Sequence, residues 1–426
     1  MAEGRKLKRE VGVFGATMMG VGSMVGTGVF VSIGVVAGVI GPAVILAIAL
    51  AAIVATCNAL NSAQLAASLP LSGGTYEYGY AYLTPSLGFT AGWMFLCAKT
   101  ASAATAALGF AGYLLQLLGL GDLVVAVAVC AVVVLTAIAV MGIRRSNRAN
   151  IVIVSVTLLA LTTFTFAALP VLSTKGSGPW LPFFRPDGGG STWPAVLEAT
   201  ALMFVAFTGY ARIATLGEEM RDPERNIPRA IIATLIVSAV LYIAVGAAGI
   251  GTLGAEGLAN AAKTEIAPLV VAANDLDLAA VYWIVGIGAV TAMLGVALNL
   301  ILGLSRVILA MGRRGDMPER LAQVGRSGSP IPAIVAVGIA IAGLALIGNV
   351  EITWSFSAFT VLIYYAITNV AALRLPKEKR LFSPLFAWLG LAACLLLAFF
   401  VEREIWITGL GLVVAGLLWH GLRHAS

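Results

Sequence analysis

The sequence predicts an all-α, multi-pass membrane protein, and three observations carry that expectation. Of its 426 residues, 60% are hydrophobic and 11% charged, against about 25% charged in ordinary globular domains. Apolar runs long enough to cross a bilayer as a helix, about 20 residues, recur along the whole chain. The Lys and Arg residues cluster in the connections between alternate runs.

Twelve spans follow, at about 11–40, 42–69, 85–118, 122–142, 149–172, 192–218, 229–251, 277–311, 331–348, 352–374, 383–401 and 404–421. The charged start MAEGRKLKRE, before an apolar run too long for a leader, predicts no cleaved signal peptide. Most connections are short. Ser173–Thr192 is a Pro/Gly-rich external loop, Thr252–Leu276 is an external loop with room for a short helix, and Gly312–Pro332 is internal and basic. With the N-terminus inside, nineteen of the 26 Lys and Arg lie on the cytoplasmic side and four outside, while Lys99, Arg212 and Arg306 fall within helices. Both termini are therefore expected in the cytoplasm, at a cell (cytoplasmic) membrane surrounded by lipid. The net charge of +6 reports topology rather than a nucleic-acid partner. The cysteines Cys57, Cys97, Cys130 and Cys394 all fall in spans without ligand spacing, and are expected to be buried packing residues.

Two spans are interrupted. In the first, GVGSMVGTG (residues 20–28) puts four glycines and two hydroxyls into an apolar run. Gly22 and Gly26 fit small-xxx-small helix packing, whereas a dinucleotide fingerprint fails on spacing and on the lack of a βαβ setting. The alternative is an unwound segment. Amides around Gly26, Thr27 and Gly28 would then meet an anion at a helix start, and carbonyls around Met19 to Val21 would meet a cation. A ligand carrying both charges is an α-amino acid. In the sixth span, MFVAFTGYARIATLGEE (203–219) again places Gly209 and a hydroxyl in an apolar run. Interrupted helices five spans apart suggest an inverted repeat, about 11–172 and 192–374, with trailing helices at about 383–421; such pairs mark midplane substrate sites in secondary transporters.

Four segments in order, GVGSMVGTGVF, PLSGGTYEYGY (70–80), GEEMRDPERNIPRAI (217–231) and SRVILAMGRRGDMP (305–318), resemble the signature segments of the amino acid–polyamine–organocation transporter superfamily. The resemblance covers most of the chain. It implies a five-plus-five inverted repeat of the LeuT type, twelve helices with the first and sixth discontinuous, and alternating access. It also implies that substrate carboxylate meets the amides of Gly26, Thr27 and Gly28. Carbonyls of Met24, Val205, Ala206 and Thr208 would receive the ammonium, with Phe207 as an aromatic lid.

No carboxylate falls in the middle of a span apart from Glu198, placed at an outer mouth, so a neutral amino acid is the expected substrate. A cationic amino acid or polyamine is the alternative. Trp354 and Phe359 read as wall or gate residues, or as plain packing. Glu218 serves either a gating ion pair or proton handling. Lys99, about 14 residues into its span, is too deep to snorkel, and is either a scaffold for the broken helices or a proton-coupling switch. Proton-coupled members of the superfamily often carry a lysine on the fifth helix. Here that position aligns with Thr157, beside Ser155, so the coupling ion stays open between protons, exchange and neither. Thr291 and Asn299 do not make a sodium site. A channel would need rings of polar residues lining a pore, and an enzyme would need a catalytic cluster; neither pattern is present. No cofactor and no metal site are expected, with His420 and His424 set aside as a C-terminal tail. An amino acid sensor without flux would share the same site.

Overall fold

The computed structural model describes residues 11–69, 73–120, 123–141, 147–214, 220–264, 266–325 and 329–425. These residues are helical throughout, and their one β-type contact is an isolated bridge between Val11 and Met220. Helices α1 (Val13–Met24), α2 (Thr27–Phe30), α3 (Ser32–Ile40) and α4 (Val44–Ser68) cover the first two predicted spans. A continuous helix from Thr27 to Ser68 would be about 60 Å long, twice the hydrocarbon thickness. The chain instead turns at Gly41, whose φ of 73° is left-handed backbone that glycine tolerates without a Cβ clash.

Helices α5 (Thr75–Tyr82), α6 (Pro85–Leu118), α7 (Val124–Val140) and α8 (Asn147–Lys175) follow. Pro85 opens α6 at its first turn, where its missing amide costs no hydrogen bond, and Thr84 caps the helix by accepting from the Leu87 amide. Then come α9 (Thr192–Phe207), α10 (Ala211–Ala214), α11 (Pro223–Thr264) and α12 (Pro268–Asn274). The last five are α13 (Ala279–Arg314), α14 (Ile331–Ala345), α15 (Val350–Leu373), α16 (Pro384–Ala398) and α17 (Arg403–Ala425). Among the described residues eight helical stretches are long and apolar enough to cross a membrane. Val13–Met24, Val124–Val140, Ile331–Ala345 and Pro384–Ala398 are shorter apolar helices. The chain is a multi-pass membrane protein.

Three local differences from the sequence expectation have physical causes. The seventh span begins earlier, at Pro223, and α11 bends at Gly254 (φ 77°) before continuing to Thr264; together with α12, this fills the external loop with helix. The motif PLSGGTYEYGY contains α5, whose aromatic residues have partners far away in the chain. Cys57 and Cys394 are buried as expected, but Cys130 is exposed on α7.

The interior is held by packing and by a few satisfied polar networks. Asn369 on α15 accepts from Asn61 at 2.8 Å and donates to Asn58 at 2.7 Å, both on α4. In hydrocarbon such amides must find partners within the protein, so this pairing fixes α4 against α15. Helix α9, which carries the second interruption, packs on α3, α4 and α15, while α1 packs on α8 and α11.

Candidate functional site

The first interruption is a true break. Helix α1 ends at Met24; Val25 (φ −83°, ψ 81°) and Gly26 (φ −157°, ψ −117°) leave helical geometry, and α2 restarts at Thr27. The break therefore lies after Met24, whose carbonyl leaves the helical ladder and accepts instead from Gly26 and Tyr242, while the carbonyls of Met19 and Val21 stay engaged within the helix. Met19 accepts from the Ser23 hydroxyl at 2.8 Å and Val21 accepts from the Val25 amide at 2.7 Å. The Gly26 amide is also engaged, donating to Met24 at 3.0 Å. Thr27 and Gly28 open α2, where amides precede any intrahelical acceptor.

Close approach explains the glycines. A Cβ on Gly28 would sit 2.9 Å from both the Ala206 Cβ and the Tyr242 hydroxyl, and one on Gly26 would meet Val296 at 2.6 Å. A Cβ on Gly209 would lie 2.6 Å from the carbonyl carbon of Ser23. The glycine stretch therefore breaks the helix and also lets the two interrupted segments touch. The packing and unwinding readings of the motif are both realised.

The second interruption is milder. After Phe207 the chain tightens into a 3-10 turn over Thr208–Tyr210 before α10 resumes. Thr208 donates its hydroxyl to the Val205 carbonyl at 2.7 Å and accepts from Lys99 Nζ at 2.7 Å. Lys99, on α6, is 8% exposed and so reaches the break from the protein interior.

Tyrosines tie the breaks together. The Tyr242 hydroxyl of α11 lies 2.7 Å from the Met24 carbonyl and 3.0 Å from that of Ala206. It has one proton for two acceptors. Tyr113 of α6 donates to the Phe30 carbonyl and accepts from the Leu269 amide at 3.2 Å. Tyr365 donates to the Thr208 carbonyl at 3.3 Å. Phe207 is fully buried and tilts on Tyr242, with ring centroids 5.0 Å apart. Sequence reading missed these tyrosines because each sits in an apolar run and looks like a wall residue. Tyr242→Phe is expected to leave both carbonyls without this donor and to destabilise the fold by about 1–3 kcal/mol. Denaturant titration of the purified variant in micelles checks this, and an unchanged midpoint would show that the bridge carries no load.

A cavity of about 130 Å³ reaches the second break and is lined by Ser23, Lys99, Thr208, Gly209, Arg212 and Arg306, among others. Of the predicted site residues, Lys99 and Thr208 line it. Met24, Thr27, Gly28, Val205, Ala206 and Phe207 are buried but are not among its lining residues, and the Gly26–Gly28 stretch is enclosed by Val296, Ala206 and Tyr242. The remaining candidates lie apart. Trp354 is 2% exposed and donates its indole N–H to the Leu202 carbonyl at 3.0 Å, which makes it a tie between α15 and α9. Thr157 is buried and bonds back to the Ile153 carbonyl at 2.8 Å. Ser155 points to the exposed face of α8. In their place α8 presents Asn150, which donates to the Met18 carbonyl at 3.2 Å. Glu218 lies outside the described residues.

Interrupted helices facing one another across backbone carbonyls, beside a cavity within a multi-pass helical protein, define a membrane transporter. Comparison with known proteins agrees. The family model "Amino acid permease" matches residues 15–418. An uncharacterized transporter of Mycobacterium tuberculosis is 41% identical over 422 residues, covering 98% of this chain and 92% of that protein. The branched-chain amino acid permease BcaP of Bacillus subtilis is 28% identical over 337 residues, 75% of this chain and 70% of its own. Cationic amino acid transporter 4 of Homo sapiens is 27% identical over 405 residues, 89% of this chain and 62% of its own. The chain belongs to the amino acid permease family of the amino acid–polyamine–organocation superfamily. It is a transporter and not an enzyme.

Proposed function

We propose that the protein carries neutral L-α-amino acids across the cytoplasmic membrane by alternating access, as a proton symporter or an exchanger. One observation carries the substrate class. Among the described residues lining the cavity the charged ones are Lys99, Arg212 and Arg306, and none is acidic. A dicationic polyamine or an arginine side chain would meet the positive charge of these lining residues and no carboxylate among them. A zwitterion with an apolar side chain suits a wall that also includes Phe95, Val296, Leu300 and Leu304. The similarity to a branched-chain amino acid permease supports this reading, and the similarity to a cationic amino acid transporter favours the alternative.

In the proposed cycle the carboxylate meets the Thr27 and Gly28 amides, with Gly26 allowing the approach. The ammonium displaces the Tyr242 hydroxyl from the Met24 and Ala206 carbonyls, with the carbonyls of Val205 and Thr208 nearby. Phe207 covers the substrate. Twelve spans, cytoplasmic termini and two inverted repeats (about 11–172 and 192–374) with trailing helices at about 383–421 complete the proposal. The positive-inside distribution and the paired interruptions support it.

The test is uptake of a radiolabelled amino acid panel into proteoliposomes under a pH gradient, a sodium gradient or neither. Saturable uptake of neutral amino acids is expected. Uptake confined to cationic amines would overturn the neutral reading, and binding without flux would identify a sensor.

A further inference from the structure

Outside the interrupted helices, the chain gathers its two histidines around a buried carboxylate. Asp316 follows α13 and is fully buried. His420 and His424, one turn apart on α17, both face its Oδ1, with His420 Nδ1 at 3.2 Å and His424 Nε2 at 3.8 Å. One ligand atom from each of the three residues lies within 4.8 Å of the others. No step of the proposed transport cycle uses this cluster.

We propose that Asp316, His420 and His424 form a binding site for a divalent transition-metal ion of the zinc class. Three points beyond proximity support it. The first is the state of the carboxylate. Tyr76 donates to Oδ2 at 2.7 Å, and Tyr80, with a single proton, lies 2.8 Å from Oδ2 and 3.0 Å from Oδ1. Tyr76 thereby occupies Oδ2, and Oδ1, which at most shares the Tyr80 proton, keeps a lone pair toward the two imidazoles.

The second point is His420 itself. It is 6% exposed, and its Nδ1 has no hydrogen-bond partner despite lying so near Oδ1. The contact is close enough for an ion pair but off the line of a hydrogen bond, so the nitrogen is aimed beside the oxygen rather than at it. A lone pair directed at a shared ion has that geometry. The third is the tautomer of His424. Its Nδ1 lies 3.1 Å from the His420 carbonyl; donating there leaves Nε2 as the free lone pair, the outer-shell arrangement usual for a ligating histidine.

The surroundings hold these groups in place. Phe89 stacks on the His420 ring with centroids 4.8 Å apart, and Trp419 donates to the Asp316 carbonyl at 2.9 Å. Arg314, over the Tyr80 ring at 4.0 Å, pairs with Glu77 at 2.6 Å, which offsets its charge. Tetrahedral zinc with bonds near 2.0–2.2 Å wants ligand atoms about 3.3–3.6 Å apart. The two histidine–Oδ1 pairs, at 3.2 and 3.8 Å, bracket that spacing, the pair of histidine nitrogens lies within 4.8 Å, and the half-exposed His424 can rotate to close the site. Two imidazoles and one carboxylate leave a fourth position for water.

The experiment strips full-length protein in detergent with a chelator, titrates it with Zn²⁺ by calorimetry, and records the visible spectrum with Co²⁺. One Zn²⁺ per chain is expected, with affinity reduced about tenfold or more in His424→Ala. Asp187→Asn, in the external loop, should bind as wild type. His424 is surface-accessible, so its variant keeps the fold, checked by monodispersity. Absence of one-to-one binding, or binding that His424→Ala and His420→Gln leave unchanged, would overturn the site.

Discussion

Lys99→Met is expected to abolish proton-driven accumulation while leaving the protein at least as stable as the wild type. The two effects separate for a physical reason. Holding an ammonium in the middle of a span costs about 2.5–3.5 kcal/mol on insertion scales, and methionine fills the same volume without that cost. The one side-chain partner identified for Lys99 is the Thr208 hydroxyl, which keeps its bond to the Val205 carbonyl without it. A purely structural lysine would therefore be dispensable for function. A coupling lysine would not. The decisive measurement is uptake against a gradient beside counterflow exchange in the same proteoliposomes. Lost accumulation with surviving exchange is the expected pattern, and unchanged accumulation would return Lys99 to a scaffold.

Gly209→Ala should silence both accumulation and exchange. The added Cβ would fall 2.6 Å from the Ser23 carbonyl carbon and 2.7 Å from its oxygen. Those are backbone atoms of α1, so no rotamer change can relieve the clash, and the two interrupted segments must separate. Overpacking a tight interior costs typically about 1–3 kcal/mol, and here the displaced backbone belongs to the proposed binding segment. Gly303→Ala is the matched control, since Gly303 also lines the cavity but a Cβ there meets nothing within 4 Å. Near-normal exchange in Gly209→Ala beside normal exchange in Gly303→Ala would mean the close approach is not needed.

What the sequence revealed followed from composition and chain length. A helix has to be about 20 apolar residues long to cross hydrocarbon, so the span from Pro85 to Leu118 could be read to the residue. Glycine clusters stand out in such runs, which is why the break near Gly26 was legible. Its exact place was not, because the choice of freed carbonyl depends on where the backbone first leaves helical angles. Nor was the second break's character, since a 3-10 turn and an unwound loop share one composition. Helix α5 was missed because TYEYGYAY has no apolar period; Tyr76 and Tyr80 find their partner 240 and 236 residues away at Asp316. Ser155 shows the opposite limit. A hydroxyl near the expected position says nothing of which helix face it occupies, and this one faces outward.

The Asp316 cluster also has a history in time. Its members come from α5, from the end of α13 and from α17, so the contacts of a residue made early in synthesis wait for the last described helix to emerge. Until α17 arrives, the Asp316 carboxylate has only its tyrosine donors and lies open to water. The closing of that cluster therefore follows the synthesis of α17. It joins α17 to residues of α5 and to Asp316, all of them synthesised before it.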